Sequence, residues 1–139
     1  MDVLVLIGRI LFALLFLSSG VAHLVQTKAM AGYAASRGLP AAVPAVLFSG
    51  LLLLAGGLSL VLGVWADLGA LLLAVFCFPT AVLMHAFWKE SDAQMRQIEQ
   101  TMFLKDIALG GAALMLLAFF SYAGDDLGLT ITGPLFDIR

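Results

Sequence analysis

Two histidines, a lysine and an aspartate stand beside or inside long apolar runs: His23, His85, Lys105 and Asp106. Imidazole changes charge near neutral pH, and a carboxylate and an ammonium beside it widen the range of proton donors and acceptors. Brought together, the four side chains can relay protons or bind the polar head of a ligand between helices. They can equally snorkel to the interface or cap helix carbonyls, because each lies near the end of an apolar run. A metal site is not expected: two histidines and an aspartate spread over three runs lack tight ligand spacing. Arg9 is the other charged residue within a run. At 1.5 Å per helical residue it sits about 9 Å inside, so it must face the bundle or reach the interface. It either pairs with Asp67, Asp125 or Asp126, or contacts an anion or a quinone oxygen. The single cysteine, Cys77, forms no intramolecular disulfide and no Cys-x-x-Cys pair, and is expected to be a packing residue.

The elements that position these groups are four apolar stretches, Val3–Leu24, Val43–Gly63, Leu68–Trp88 and Met102–Tyr122. About 20 helical residues cross a hydrocarbon layer of about 30 Å, so each stretch can span a bilayer. Hydrophobic residues make up 63% of the 139-residue chain and charged residues 12%, with a mean hydropathy of +1.09. That composition predicts an all-α integral membrane protein, an up-down-up-down four-helix bundle forming a single domain over residues 1–139. The lipid bilayer is its first partner. The net charge of -2 gives no reason to expect a nucleic-acid partner. Ile10–Leu17 resembles a signal-peptide core, but Met1–Gly8 holds no lysine or arginine, so a retained first span is expected.

The connections carry their own signals. Val25–Ala42 predicts a short interfacial helix with Thr27 as N-cap and Gly38 and Pro40 as stops. Val64–Asp67 is a tight turn with Trp65 as interfacial anchor. Lys89–Thr101 is the polar segment, an amphipathic lead-in to the fourth span, with Ser91 and Gln94 resembling a capping box. After Tyr122 the tail leaves the membrane, and Leu129–Thr132 is read as a short strand or an extended cover. Pro79 should kink the third span and free a backbone carbonyl. Lys28, Arg37, Lys89, Arg96 and Lys105 fall on one side, against Arg9 and Arg139 on the other. The positive-inside rule then places the first and third connections in the cytoplasm and both termini outside.

Gly8-Arg9-Ile10, Leu17-Ser18-Ser19-Gly20 and His23-Leu24 resemble the opening of the DoxX family of small four-span membrane proteins. Tyr33–Pro40, the glycine-rich second span ending at Gly63, and Phe103–Gly111 are similar to the rest of that pattern. The resemblance implies a multi-pass protein of a bacterial or archaeal cytoplasmic (inner) membrane. It also implies kinship with subunits of thiosulfate:quinone oxidoreductases and with membrane redox or thiol-stress complexes. Arg9, His23, Lys105 and Asp106 fall on polar positions of the family pattern. Early in the second span, where the family often carries an acid, this chain has Ser49-Gly50.

These readings converge on the membrane subunit of a quinone-linked redox system. His23, His85 and Asp106 would handle protons, and Arg9 or Lys105 would polarise a substrate oxygen. The chain has no recognisable flavin, haem or iron–sulfur motif, so a bound quinone is the cofactor candidate and electrons would come from a soluble or membrane redox partner or from substrate. Two alternatives stay open: a non-catalytic anchor that recruits a soluble enzyme through Lys89–Thr101, and a small-molecule permease built as a homo-oligomer.

Overall fold

The computed structural model describes residues 1–136; Arg139, counted above in the charge asymmetry, lies outside the described residues. The chain folds as α1 (Asp2–Val25), α2 (Thr27–Ser36), α3 (Ala42–Leu62), α4 (Ala66–Met84) and α5 (Ala93–Ala123). Short 3₁₀ turns follow at Phe87–Lys89 and Gly124–Asp126. No strand occurs among the described residues. Four helices, α1, α3, α4 and α5, are long and apolar enough to cross a membrane. In space α1 packs on α3, α3 on α4 and α4 on α5, while α2 lies across the start of α3.

Small residues set the helix spacing, as expected where lipid supplies no hydrophobic drive for association. Gly20 of α1 faces Gly50 of α3, and a Cβ built on Gly20 would lie 3.0 Å from the Gly50 carbonyl oxygen. A Cβ on Gly50 would meet the His23 Cβ at 2.9 Å, so the glycine is what admits His23 beside α3. Ala13, Phe16, Leu53, Leu73, Cys77, Ala113 and Phe120 form the buried core between the spans. Cys77 is one of its small apolar members.

The interfacial helix α2 ends as its sequence predicts. Gly38 takes φ +88, its N–H bonds the Ala35 carbonyl at 2.9 Å, and the Leu39 N–H bonds the Ala34 carbonyl at 3.0 Å. This is a Schellman closure, completed by the apolar contact of Leu39 with the Ala31–Ala34–Val46 cluster. The start of α2 differs from expectation. Thr27 does not cap it; its hydroxyl donates back to the His23 and Leu24 carbonyls at 2.7 and 2.9 Å. Those are orphan acceptors at the end of α1. At α5 the cap shifts by one residue, since Asp92 rather than Ser91 accepts from the Met95 N–H at 2.8 Å.

The third span stops at Met84, four residues before the expected end at Trp88. Breaking the helix there frees the Met84 carbonyl, which accepts from the Tyr33 hydroxyl at 3.3 Å. It also turns Phe87 and Trp88 onto Phe103 of α5, with ring centroids 5.4 and 5.8 Å apart. Leu129–Thr132 is neither a strand nor extended: Leu129 takes φ +59 and the segment bends, so that the Ile131 and Thr132 N–H groups both bond the Gly63 carbonyl at 3.0 Å.

Candidate functional site

A cavity of about 630 Å³ lies where α3 and α4 separate at the end of the bundle bearing both histidines. Small-molecule sites typically occupy about 300–1,000 Å³. At the opposite end Gly56 and Leu73 hold α3 and α4 together, while here α2 and Leu39 beyond it pack on the start of α3, with Met84 of α4 beside them. Phe48, Val75, Pro79 and Leu83 line the cavity, and all four are exposed residues of the spans. The cavity is therefore open sideways, toward the lipid. Pro79 lies inside the continuous helix α4 and forms part of this wall.

The polar floor draws on all four spans. His23 lines it from α1, and its Nδ1 lies 2.8 Å from the Ser49 hydroxyl of α3. The Ser49 hydroxyl in turn donates to the Val46 carbonyl at 2.9 Å. This histidine is thus partnered by a neutral hydroxyl. His85, the residue that follows α4, and Asp106 of α5 also line it. His85 Nε2 lies 3.7 Å from Asp106 Oδ2, beyond hydrogen-bond length. That oxygen is buried with no hydrogen-bond partner among the described residues.

Behind His85 sits a charged clasp that links the cavity to the surface. His85 Nδ1 bonds Glu99 Oε2 at 2.7 Å. The other oxygen of Glu99 accepts from Arg37 Nη2 at 3.0 Å and from the Tyr33 hydroxyl at 3.3 Å. Arg37 also pairs with Glu90, and its guanidinium lies over the Tyr33 ring. The hydrogen bond to Glu90, then that to Tyr33, holds the Arg37 pKa above its ordinary value, so its positive charge is permanent. Glu99 is 6% exposed although it lies in the most polar segment of the chain. Sequence reasoning passed over it as part of a solvated lead-in. Its signal is register: Glu99, Asp106, Gly110 and Ala113 recur at helical spacing, and the last two face the core.

The structure thus brings His23, His85 and Asp106 to one cavity and leaves two other candidates outside it. Lys105 is exposed on α5 and does not line the cavity. Arg9 is buried at the far end of the bundle, 1% exposed. It pairs with carbonyls rather than with Asp67, Asp125 or Asp126. Nε donates to Leu60 O at 2.7 Å, Nη2 to Val61 O at 2.8 Å and Nη1 to Leu129 O at 2.8 Å. The fork caps the C-terminus of α3 and fastens the tail over it. Asp67 fastens the tail further along, accepting from the Leu135 and Phe136 N–H groups at 2.9 and 2.6 Å. No cluster of three or more metal-ligating side chains occurs among the described residues.

Comparison with known proteins gives the frame for this site. The DoxX family model matches residues 4–86, which carry α1 to α4 with His23 and His85. The inner membrane protein YqjF of Escherichia coli (strain K12) is 31% identical over 116 residues, covering 83% of this chain and 82% of that protein. No solved structure matches. A family match over more than half the chain, joined to a four-span bundle, means that this protein belongs to the DoxX family.

Proposed function

We propose that the chain is a multi-pass inner membrane protein that acts as the membrane subunit of a redox system and takes a lipophilic quinone into the cavity between α3 and α4. The observation that carries the reading is an apolar chamber with a side opening and a floor of three titratable groups, His23, His85 and Asp106. A quinone supplies two-electron, two-proton chemistry, with electrons exchanged with a soluble or membrane redox partner protein. The residues supply binding and proton handling. Phe48, Phe76 and Leu83 offer the ring and tail an apolar wall. His23 and the His85–Asp106 pair offer proton-exchanging atoms in the lining of the chamber. Glu99, hydrogen-bonded to His85, joins that pair to the Arg37–Glu90 clasp outside. Arg9 and Lys105 take no part, because neither reaches the cavity.

Native mass spectrometry of gently solubilised protein, with lipid extraction, tests this. A stoichiometric quinone retained by the wild type and lost from His85→Ala and Asp106→Ala is the expected result. Wild-type protein that binds no quinone, together with unchanged membrane redox activity in both variants, would overturn it. The anchor reading has its own supporting observation: α5 begins well before its apolar part, and Met95 and Ile98 are exposed on that lead-in. A soluble protein that co-purifies with the wild type, and is lost when Met95 and Ile98 become serine, would favour it.

A further inference from the structure

We infer that the cavity selects a ligand whose polar head donates hydrogen bonds, the reduced dihydroxy form of the carrier rather than its dione form. The inference rests on the quinone reading above and adds to it which redox state the site prefers.

The argument is a count of donors and acceptors. The Ser49 hydroxyl has one proton, and it is spent on the Val46 carbonyl. At the 2.8 Å contact with His23 the serine oxygen is therefore the acceptor, and His23 Nδ1 carries the hydrogen. In the neutral ring the other nitrogen, Nε2, is then an acceptor. It has no hydrogen-bond partner among the described residues, and His23 lines the cavity. The same logic applies to His85. Glu99 offers a carboxylate oxygen to His85 at 2.7 Å, so His85 Nδ1 donates and Nε2 is an acceptor in the neutral ring. Asp106 adds a buried oxygen that receives no hydrogen bond.

The cations that would reverse this count are elsewhere. Arg37 spends its donors on Tyr33, Glu90 and Glu99. Arg9 spends its own on three carbonyls at the other end, and Lys105 does not line the cavity. Three hydroxyls also line the chamber: that of Tyr33 is spent on Met84 O and Glu99, while those of Ser19 and Thr80 accept as well as donate. The groups that only accept are then His23 Nε2 from α1 and the His85–Asp106 pair from the end of α4 and from α5, while a dione brings only further acceptors. A buried acceptor left unpaired is costly, and sites built around such groups discriminate strongly between ligands with and without the matching donor. Two hydroxyls at opposite ends of one ring satisfy both, one toward His23 Nε2 and one toward the His85–Asp106 pair. Anionic ligands are disfavoured for the same reason.

The test is equilibrium binding to full-length protein in nanodiscs, under anaerobic conditions at pH 8, well above the reference imidazole value of about 6.5. The probes are decylubiquinol, decylubiquinone and the 1,4-dimethyl ether of decylubiquinol, each expressed as a mole fraction of the lipid. The quinol should bind at least tenfold tighter than the quinone. Each tenfold preference raises the potential of the bound couple by about 30 mV. The dimethyl ether, identical in shape but without donors, should bind no better than the quinone. In Asp106→Asn and His23→Phe, each checked for native helix content, the ratio of quinol to quinone affinity should fall toward one. Equal binding of quinol and ether, or tighter binding of the quinone, would overturn the inference and leave the quinone reading standing. Binding of none of the three probes would overturn both.

Discussion

Arg9 shows how little a residue's charge says about its task when its partners are backbone. Its guanidinium serves three carbonyls, two at the end of α3 and one in the tail, and no carboxylate. Replacing it with methionine keeps the apolar stem but leaves those acceptors unpaired, at a cost of about 3 kcal/mol for buried, charge-assisted bonds. Arg9→Met should therefore melt at clearly lower temperature in detergent, and Arg9→Lys should recover only part of the loss, since an ammonium cannot reproduce the fork. Ligand affinity per folded molecule should stay at the wild-type value in both. A variant that melts normally but loses ligand would mean that Arg9 is a ligand contact after all. Glu99 is the converse case, an acid in a polar stretch that is buried because three partners converge on it. Glu99→Gln should weaken ligand binding through His85, whose Nδ1 would lose its carboxylate acceptor, and Glu99→Asp should weaken it less.

Between elements, the decisive contacts are the α1–α3 crossing and the α2 clasp. Gly50→Val should force α1 away from α3, because the Gly50 position is already occupied to within 2.9 Å by the His23 Cβ. The separation breaks the His23–Ser49 hydrogen bond, so this variant should lose ligand as well as thermal stability. Arg37→Met should free α2, read as faster amide exchange across Thr27–Ser36 while α3 keeps its protection. Raising the pH should not reproduce that release from the arginine side. A raised pKa means that the arginine's contribution is present below its unfolded value and is lost only as pH passes the folded one, far into alkali. The spans themselves were legible because an apolar run of sufficient length has few alternatives, and the end of α2 was legible because Gly38 and Pro40 are unambiguous stops. What the chain does not display is rotation. In α1 and α5 nearly every face is apolar, so periodicity could not tell that His23 and Asp106 turn toward one chamber while Lys105 turns away. Nor could it show Glu99 meeting Arg37, 62 positions away in the sequence.

At the scale of the molecule, the side opening decides how a ligand arrives. Phe48, Val75 and Leu83, exposed residues of the apolar spans α3 and α4, border the cavity. On the proposed quinone reading, a carrier entering through that gap would keep its tail in the bilayer while its head met His23 and Asp106. Tail length then changes how much ligand is in the membrane but not how well the head fits. Against aqueous concentration, apparent affinity should rise with each added methylene by about 0.8 kcal/mol, the ordinary transfer term. Against mole fraction in the lipid, the same measurements should collapse to one value for short and long tails alike. An enclosed chamber would behave differently, since a longer tail would have to be folded inside about 630 Å³ and mole-fraction affinity would fall with length. Val75→Trp, placed at the opening, should slow association from the bilayer while leaving the head-group contacts intact. Flat mole-fraction affinities combined with slower association in Val75→Trp would establish lateral entry; a length-dependent decline would place the route at the α2 end instead.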